Sequence, residues 1–380
     1  MSRVLTRRDA LQVGACGLCG LALGRLARAQ DKASSRVLKD DTGYQMVEAR
    51  HYEKLDQQRV RCVLCPRRCQ VADLERGYCG VRENRGGTYY TLVHSRLCSL
   101  HNDPIEKKPF FHVRPSSMAL SIATVGCNME CKFCQNWEIS QYRPEQVPAR
   151  KVAPRRLHEL ARDQGSSFIA YTYSEPVIFY EYMLDAARLG SSSGVRSVVV
   201  SNGYIEEKPL RELLPHVTAF KVDLKAFRNS FYQEMCASRL QPVLSSLQLI
   251  KKAGCWLEIV VLVLPTKNDH PTEIRDLARF VKRNLGRETP VHFTRFHPTY
   301  RVRNLPPTPV STLERCYDVA KAEGLQFVYM GNVRGHPGEN TYCPKCGEEL
   351  IRRAGYAILH NRIDGGRCQK CKAEIPGVWA

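Results

Sequence analysis

No stretch of this sequence supplies the roughly 20 consecutive apolar residues that a membrane-spanning helix needs. The apolar run from about Ala10 to Leu23 is too short and is closed off by Arg25 and Arg28. No glycine fingerprint of the Rossmann or Walker type follows a strand-like run, and the regular glycines Gly14, Gly17 and Gly20 lie inside that N-terminal run. Those two routes to nucleotide binding are therefore excluded. An aromatic-rich RNA-recognition motif is missing as well, and acidic residues are few, with 38 Asp+Glu against 57 Lys+Arg for a formal charge of +19. Such an excess attracts nucleic acid, anionic lipid or acidic partners, but thiolate ligands offset much of it, so it is weak support for RNA binding.

Cysteine, in contrast, is abundant: seventeen in 380 residues, most of them in three tight groups with metal-ligand spacing. With 43% hydrophobic and 25% charged residues the chain has an ordinary globular balance. Its length suits one large domain with smaller modules, so metal thiolate chemistry explains the cysteines better than the disulfide framework of a small secreted scaffold.

Residues 1–30 form a twin-arginine-type signal segment. Thr6, Arg7 and Arg8 precede the apolar run, and Ala27-Arg28-Ala29 makes an A-x-A cleavage pattern. The competing reading is a short amphipathic helix with a chance arginine pair. Cys16 and Cys19 leave with the leader if it is cleaved. Such a leader points to export to the periplasm, whereas the supply of cofactor points to the cytoplasm. Residues 31–116 are an N-terminal Cys-rich module. Its start, 31–53, is polar and reads as a linker or first helix, and the remainder has too little apolar periodicity to build a core without a metal.

From 117 to 332 strand-like and helix-like segments alternate. Strands are expected at 119–125, 168–173, 197–201, 219–223, 257–264, 291–296 and 326–330. Helices are expected at 155–164, 177–189, 240–253, 273–284 and 312–323. Near-continuous Val/Ile/Leu runs in such an alternation predict a parallel sheet covered by helices, an α/β fold closing as a partial (β/α) TIM-like barrel. Residues 333–380 form a C-terminal four-Cys zinc-ribbon-like module around a hairpin-like segment.

Directly after the first expected strand stand Cys127, Cys131 and Cys134. Three cysteines at this spacing hold three irons of a [4Fe–4S] cubane and leave the fourth open. A structural zinc site wants four ligands and is offered three locally. At the end of the second strand, Tyr173 and Glu175 sit where a barrel rim holds a ligand's ammonium group, although Glu175 before Pro176 also reads as a helix N-terminal acid. Asn202 follows the third strand and Asp223 and Lys225 the fourth, while Arg295 and His297 close the sixth. Period-two alternation puts Lys221, Asp223 and Lys225 on one strand face, and His292 and Thr294 on one face of another.

Cys343, Cys346, Cys368 and Cys371 make two C-x-x-C knuckles, a closed tetrahedral zinc site, with rubredoxin-type iron or two disulfides as the alternatives. Cys62, Cys65, Cys69 and Cys79 are unevenly spaced and fit zinc or an auxiliary cluster equally. Cys98, Cys236, Cys255 and Cys316 read as small core residues.

The segments CVLCPRRC, GYCGVREN, DPIEKKPFFH, GCNMECKFCQNWEIS, GNVRGHPGENTYCPKCG and IPGVW together resemble the radical SAM member of the AmmeMemoRadiSam gene system, related to pyruvate formate-lyase activating enzyme. The likeness runs from about Val60 to Trp379. It implies that the open iron chelates S-adenosylmethionine, that Phe133 lies by its adenine, and that Tyr173, Glu175, Asn202, Asp223 and Lys225 contact the cofactor. It further implies reductive cleavage to a 5′-deoxyadenosyl radical that abstracts hydrogen from a small-molecule or protein substrate met by Arg295 and His297. The electron donor would be flavodoxin- or ferredoxin-like, and products of neighbouring genes of the system are candidate partners. Tyr171-Thr172-Tyr173-Ser174-Glu175-Pro176 is similar to the Y-x-E-P-T segment of glycyl-radical activases but departs from it at Val177, so an activase is the alternative. A non-catalytic iron–sulfur or zinc protein that binds nucleic acid is the alternative of another class.

Overall fold

The computed structural model describes Gly43 and residues 45–380, together with the backbone of a two-residue strand at Leu38–Lys39. The signal segment, with Cys16 and Cys19, lies outside the described residues. Where residues 31–53 are described they are not helical: Gln45–Glu48 and Tyr52–Lys54 are strands. Alternating buried and open positions in Gln45–Glu48 and pairing with Thr88–Thr91 give these residues a sheet edge to occupy, which a polar composition alone does not reveal.

The central element is one eight-stranded sheet. Its strands are β1 Ser99–Pro104, β2 Met118–Ala123, β3 Phe168–Tyr171, β4 Arg196–Ser201, β5 Ala219–Asp223, β6 Trp256–Val263, β7 Val291–Arg295 and β8 Val328–Gly331, arranged in chain order. β2 to β8 are parallel, and β1 lies antiparallel on β2. All seven expected strands are present. Runs such as SVVVS in β4 and EIVVLV in β6 are buried along nearly their whole length because both faces are covered. β1 was not expected: SLHNDP is polar, only partly buried and ends in proline, which an edge strand tolerates. Among the described residues no pairing joins β1 to β8.

Between the strands run α1 Pro154–Asp163, α2 Tyr180–Arg188, α3 Glu207–Leu213, α4 Asn229–Cys236, α5 Leu240–Lys252, α6 Pro271–Phe280 and α7 Val310–Ala322. Pro154 and Pro271 start their helices at the first position, where the missing N–H costs nothing. One sheet face, with Leu120, Ile122, Val199, Val222, Ile259 and Val263, packs with the helices into the main hydrophobic core. The other face carries a small cluster at one end, Ala119, Phe168, Val198 and Ala219 with Phe110. At its other end it carries polar side chains.

Among the described residues the Cys-rich module builds only a three-residue cluster of its own, Met46, Tyr90 and Leu92. Val60, Leu64, Val71, Val81 and Tyr89 join the main one. At the C-terminus Glu349–Ala354 and Ala357–Asn361 form the expected hairpin. Arg353, 2% exposed, anchors it by donating to the carbonyls of Glu339 and Phe111, and its guanidinium lies 4.0 Å from the Phe111 ring centre. No helix among the described residues is long and apolar enough to cross a membrane.

Candidate active site

The C-terminal ends of the parallel strands open into a cavity of about 380 Å³. In an α/β sheet this is the rim where loops of different strands meet and ligands bind. Cys127, Cys131, Phe133 and Cys134 enter it from the loop after β2, Tyr173 and Glu175 from β3, Asn202 from β4, and Lys221, Asp223 and Lys225 from β5. The structure thus brings together all nine residues expected to bind the cluster or the cofactor. It does not bring Arg295 or His297 to the cavity wall. Arg295 donates its Nε–H to the Thr308 carbonyl at 2.9 Å, and His297 is exposed beyond the end of β7.

The cysteine loop owes its path to Gly126, whose φ of +106° disfavours any side chain. A Cβ there would stand 2.6 Å from Val81 Cγ1 and 3.0 Å from the Cys79 carbonyl oxygen, so this backbone lies directly on the N-terminal module. A strap from α4 holds the loop's far side: the N–H groups of Glu130 and Lys132 donate to the carbonyls of Cys236 and Met235 at 3.1 and 2.9 Å. Burial pushes the Cys127 thiol well up. Cys131 is instead held below the usual thiol range, first by a hydrogen bond from Cys236, with burial opposing and Lys225 assisting. Cys236 is indeed buried in the core, and in addition its sulfur touches the loop's second cysteine, a role its lone position in the sequence did not signal.

Asn202 Nδ2 donates to Asn128 Oδ1 at 2.9 Å and reaches Cys127 Sγ at 3.8 Å. Glu175, 3% exposed, accepts from the backbone N–H groups of Val177 and Asn202 at 3.0 and 2.8 Å and from Ser201 Oγ at 2.7 Å. Burial raises its carboxyl to about 6 against those hydrogen bonds. Its bond to the Val177 N–H caps the turn that begins at Pro176, so the helix-terminal reading and the rim reading describe one geometry. Asp223 lies between two ammonium groups, Lys221 and Lys225, the latter at 3.0 Å. Burial alone would raise this carboxyl, yet the lysines hold it at about 2.

Lys107 and Lys108, in the loop after β1, also line the cavity, as does Tyr356 at the hairpin turn. Asp103 ties this rim together, pairing with Lys107 at 2.8 Å, with Lys108, and with the Tyr173 hydroxyl. Burial lowers Lys108 to about 8, although Asp103 acts to raise it. Tyr173 takes a φ of +66° to reach this position, and Lys108 lies 4.3 Å from its ring centre. The doubled lysine is visible in the sequence. What no local pattern shows is that an edge strand places it opposite β5.

Cys343, Cys346, Cys368 and Cys371 converge with all four sulfurs within 4.8 Å of one another, a group able to hold a metal ion. Cys62, Cys65, Cys69 and Cys79 surround a separate small cavity beneath the cluster loop.

The radical SAM superfamily model matches residues 121–281, which span the cysteine loop and β2 to β6. The Methanocaldococcus jannaschii protein MJ0808 is 44% identical over 332 residues, covering 87% of this chain and 99% of its own. Among solved structures, a domain of pyruvate-formate lyase-activating enzyme from Bacteroides vulgatus is 16% identical with a TM-score of 0.39, over 43% of this chain and 98% of its own. Streptococcus suis SuiB bound to S-adenosylmethionine is 11% identical with a TM-score of 0.47, over 63% of this chain and 56% of its own. The chain carries a radical SAM superfamily domain and belongs to one family with MJ0808.

Proposed function

We propose that this protein is a radical SAM enzyme in which Cys127, Cys131 and Cys134 hold a [4Fe–4S] cluster and the adjoining cavity holds S-adenosylmethionine. The observation that carries this is the convergence on one cavity of three cysteines, a buried aromatic ring, the Asn202 amide after β4 and fixed charges from β3 and β5. With both groups bound, such a site supplies one electron to the sulfonium and releases methionine and a 5′-deoxyadenosyl radical.

The residues of the chain position and insulate. Asn202 and the Asn128 amide fix the Cys127 turn, and Glu175 locks the tips of β3 and β4 together through the two hydrogen bonds it accepts from Ser201 and Asn202. Lys221, Asp223 and Lys225 present a prepaid charge pattern to a zwitterionic ligand, which costs no reorganisation on binding. Val200, Val260 and Leu262 line the cavity with apolar surface that keeps water from a reactive species.

Several finer readings belong to the same proposal. The sequence segments shared with the AmmeMemoRadiSam system favour membership of that system, and the strand-two segment keeps a glycyl-radical activase as the second reading. A partial barrel, the boundaries 31–116, 117–332 and 333–380, and a leader at 1–30 complete the architecture. Zinc at the C-terminal knuckles is supported by geometry: a tetrahedron with Zn–S near 2.3 Å separates its sulfurs by roughly 3.8 Å. The Cys343–Cys371 and Cys346–Cys368 sulfur pairs are 3.6 and 3.8 Å apart.

The test is anaerobic incubation of the reconstituted protein with S-adenosylmethionine and dithionite. 5′-Deoxyadenosine should form, and a Cys127→Ala/Cys131→Ala/Cys134→Ala variant should form none. Equal product from both proteins would overturn the reading. A glycyl radical signal on an added partner would select the activase.

A further inference from the structure

We infer that Cys62, Cys65, Cys69 and Cys79 hold a second [4Fe–4S] cluster, fully ligated by cysteine, rather than a zinc ion. The four cysteines come from two hairpin-like segments of the N-terminal module and line one small cavity together with Gly77, Tyr89 and Arg82. Cys62 and Cys65 are 6% and 9% exposed, so their sulfurs are screened from water.

Spacing separates the two metals. Zinc needs its four sulfurs roughly 3.8 Å apart. The C-terminal knuckles satisfy that, and they are the one group of metal-ligating side chains among the described residues whose donor atoms all lie within 4.8 Å. Among the described residues neither the four N-terminal cysteines nor Cys127, Cys131 and Cys134 form a second group that tight. A cubane spreads its thiolates over different iron corners and therefore requires the wider arrangement. The two wide sets share one chemistry, and the narrow set has another. The count of sulfurs then distinguishes the wide sets: four close every corner, so the N-terminal cluster would have no vacancy for a cosubstrate.

The surroundings of the cavity supply what an anionic cluster needs. Arg82 is 1% exposed; both terminal nitrogens are taken by Glu181, and its buried Nε–H has no partner. An arginine cannot shed its charge, so a buried unused N–H on the wall of a cysteine cage points to an acceptor within the cage. The Tyr78 N–H already donates to Cys69 Sγ at 3.4 Å. Gly77 leaves room beside the same sulfur, where a Cβ would stand 3.8 Å from Cys69 Sγ and 2.4 Å from the Tyr89 hydroxyl.

The site is also wired to the first one by packing. Asn128, next to Cys127, lines the N-terminal cavity, and Arg67 donates to its carbonyl at 2.9 Å. Together with the contact of Gly126 on Cys79 and Val81, this leaves one layer of backbone between the two cysteine sets. A closed cubane there would serve as a one-electron store beside the SAM site, charged by a low-potential ferredoxin or flavodoxin.

Iron, acid-labile sulfide and zinc in the anaerobically reconstituted full-length protein test the assignment without any variant. The expected values are about eight iron, about eight sulfide and about one zinc per chain. About four iron with two zinc overturns it. In the Cys127→Ala/Cys131→Ala/Cys134→Ala variant, about half of the iron should remain, with a cubane Mössbauer signature that S-adenosylmethionine does not change; iron-free folded protein overturns the proposal. Eight iron without 5′-deoxyadenosine would instead sink the proposed reaction and leave this assignment standing.

Discussion

At the scale of a single side chain, Asn202 stands behind Cys127, the residue proposed above as a cluster ligand. Its amide reaches Asn128 and the Cys127 sulfur. Removing such an outer partner of a metal ligand typically costs about 10- to 100-fold in activity or metal affinity. Asn202→Ala should therefore lower 5′-deoxyadenosine formation by about that factor while the iron content stays near wild type, as read by product assay and iron analysis on one sample. Lys108 gives a pH dependence. Burial lowers its ammonium to about 8 against the pull of Asp103, so its positive charge is present below that pH and fades above it. Binding of an anionic group at this rim should weaken as pH rises through 8. Titrations of S-adenosylmethionine and substrate in wild type and Lys108→Met would show this: a wild-type rise in Kd that the variant lacks supports the role, and parallel profiles refute it.

Among elements, the contact between α2 and the N-terminal module rests on Arg82 and Glu181, 1% and 2% exposed and joined through two nitrogens. Breaking one partner of such a pair leaves the other charge buried and costs about 3–5 kcal/mol. Glu181→Leu should lower the thermal unfolding temperature sharply, whereas Glu207→Ala, at an exposed i,i+4 pair, should leave it nearly unchanged. What was legible in the sequence follows the same divide. β2 to β8 announce themselves because burial on both faces demands continuous apolar runs, and the cysteine loop because its spacing is chemical rather than structural. β1 does not, since an edge strand needs no apolar pattern, and so neither does the placement of Lys107 and Lys108 opposite β5. Arg82 likewise reads as one more basic residue until folding brings Glu181 to it, 99 positions away.

At the scale of the whole molecule, one cysteine set among the described residues converges as tightly as a zinc site requires, and of the other two only Cys127, Cys131 and Cys134 line the larger cavity. Arg295, the last residue of β7, and His297 just beyond it lie outside the wall of this cavity, so the substrate role expected of them is separate from cofactor binding. Variants at these two positions should leave cofactor binding intact, as isothermal titration with S-adenosylmethionine would show. The most direct test of the central claim is low-temperature electron paramagnetic resonance of the dithionite-reduced protein, recorded before and after S-adenosylmethionine is added. A cluster held by Cys127, Cys131 and Cys134 must change its spectrum when the cosubstrate occupies the open corner, and the change must vanish in the triple alanine variant. A spectrum indifferent to S-adenosylmethionine would contradict the account.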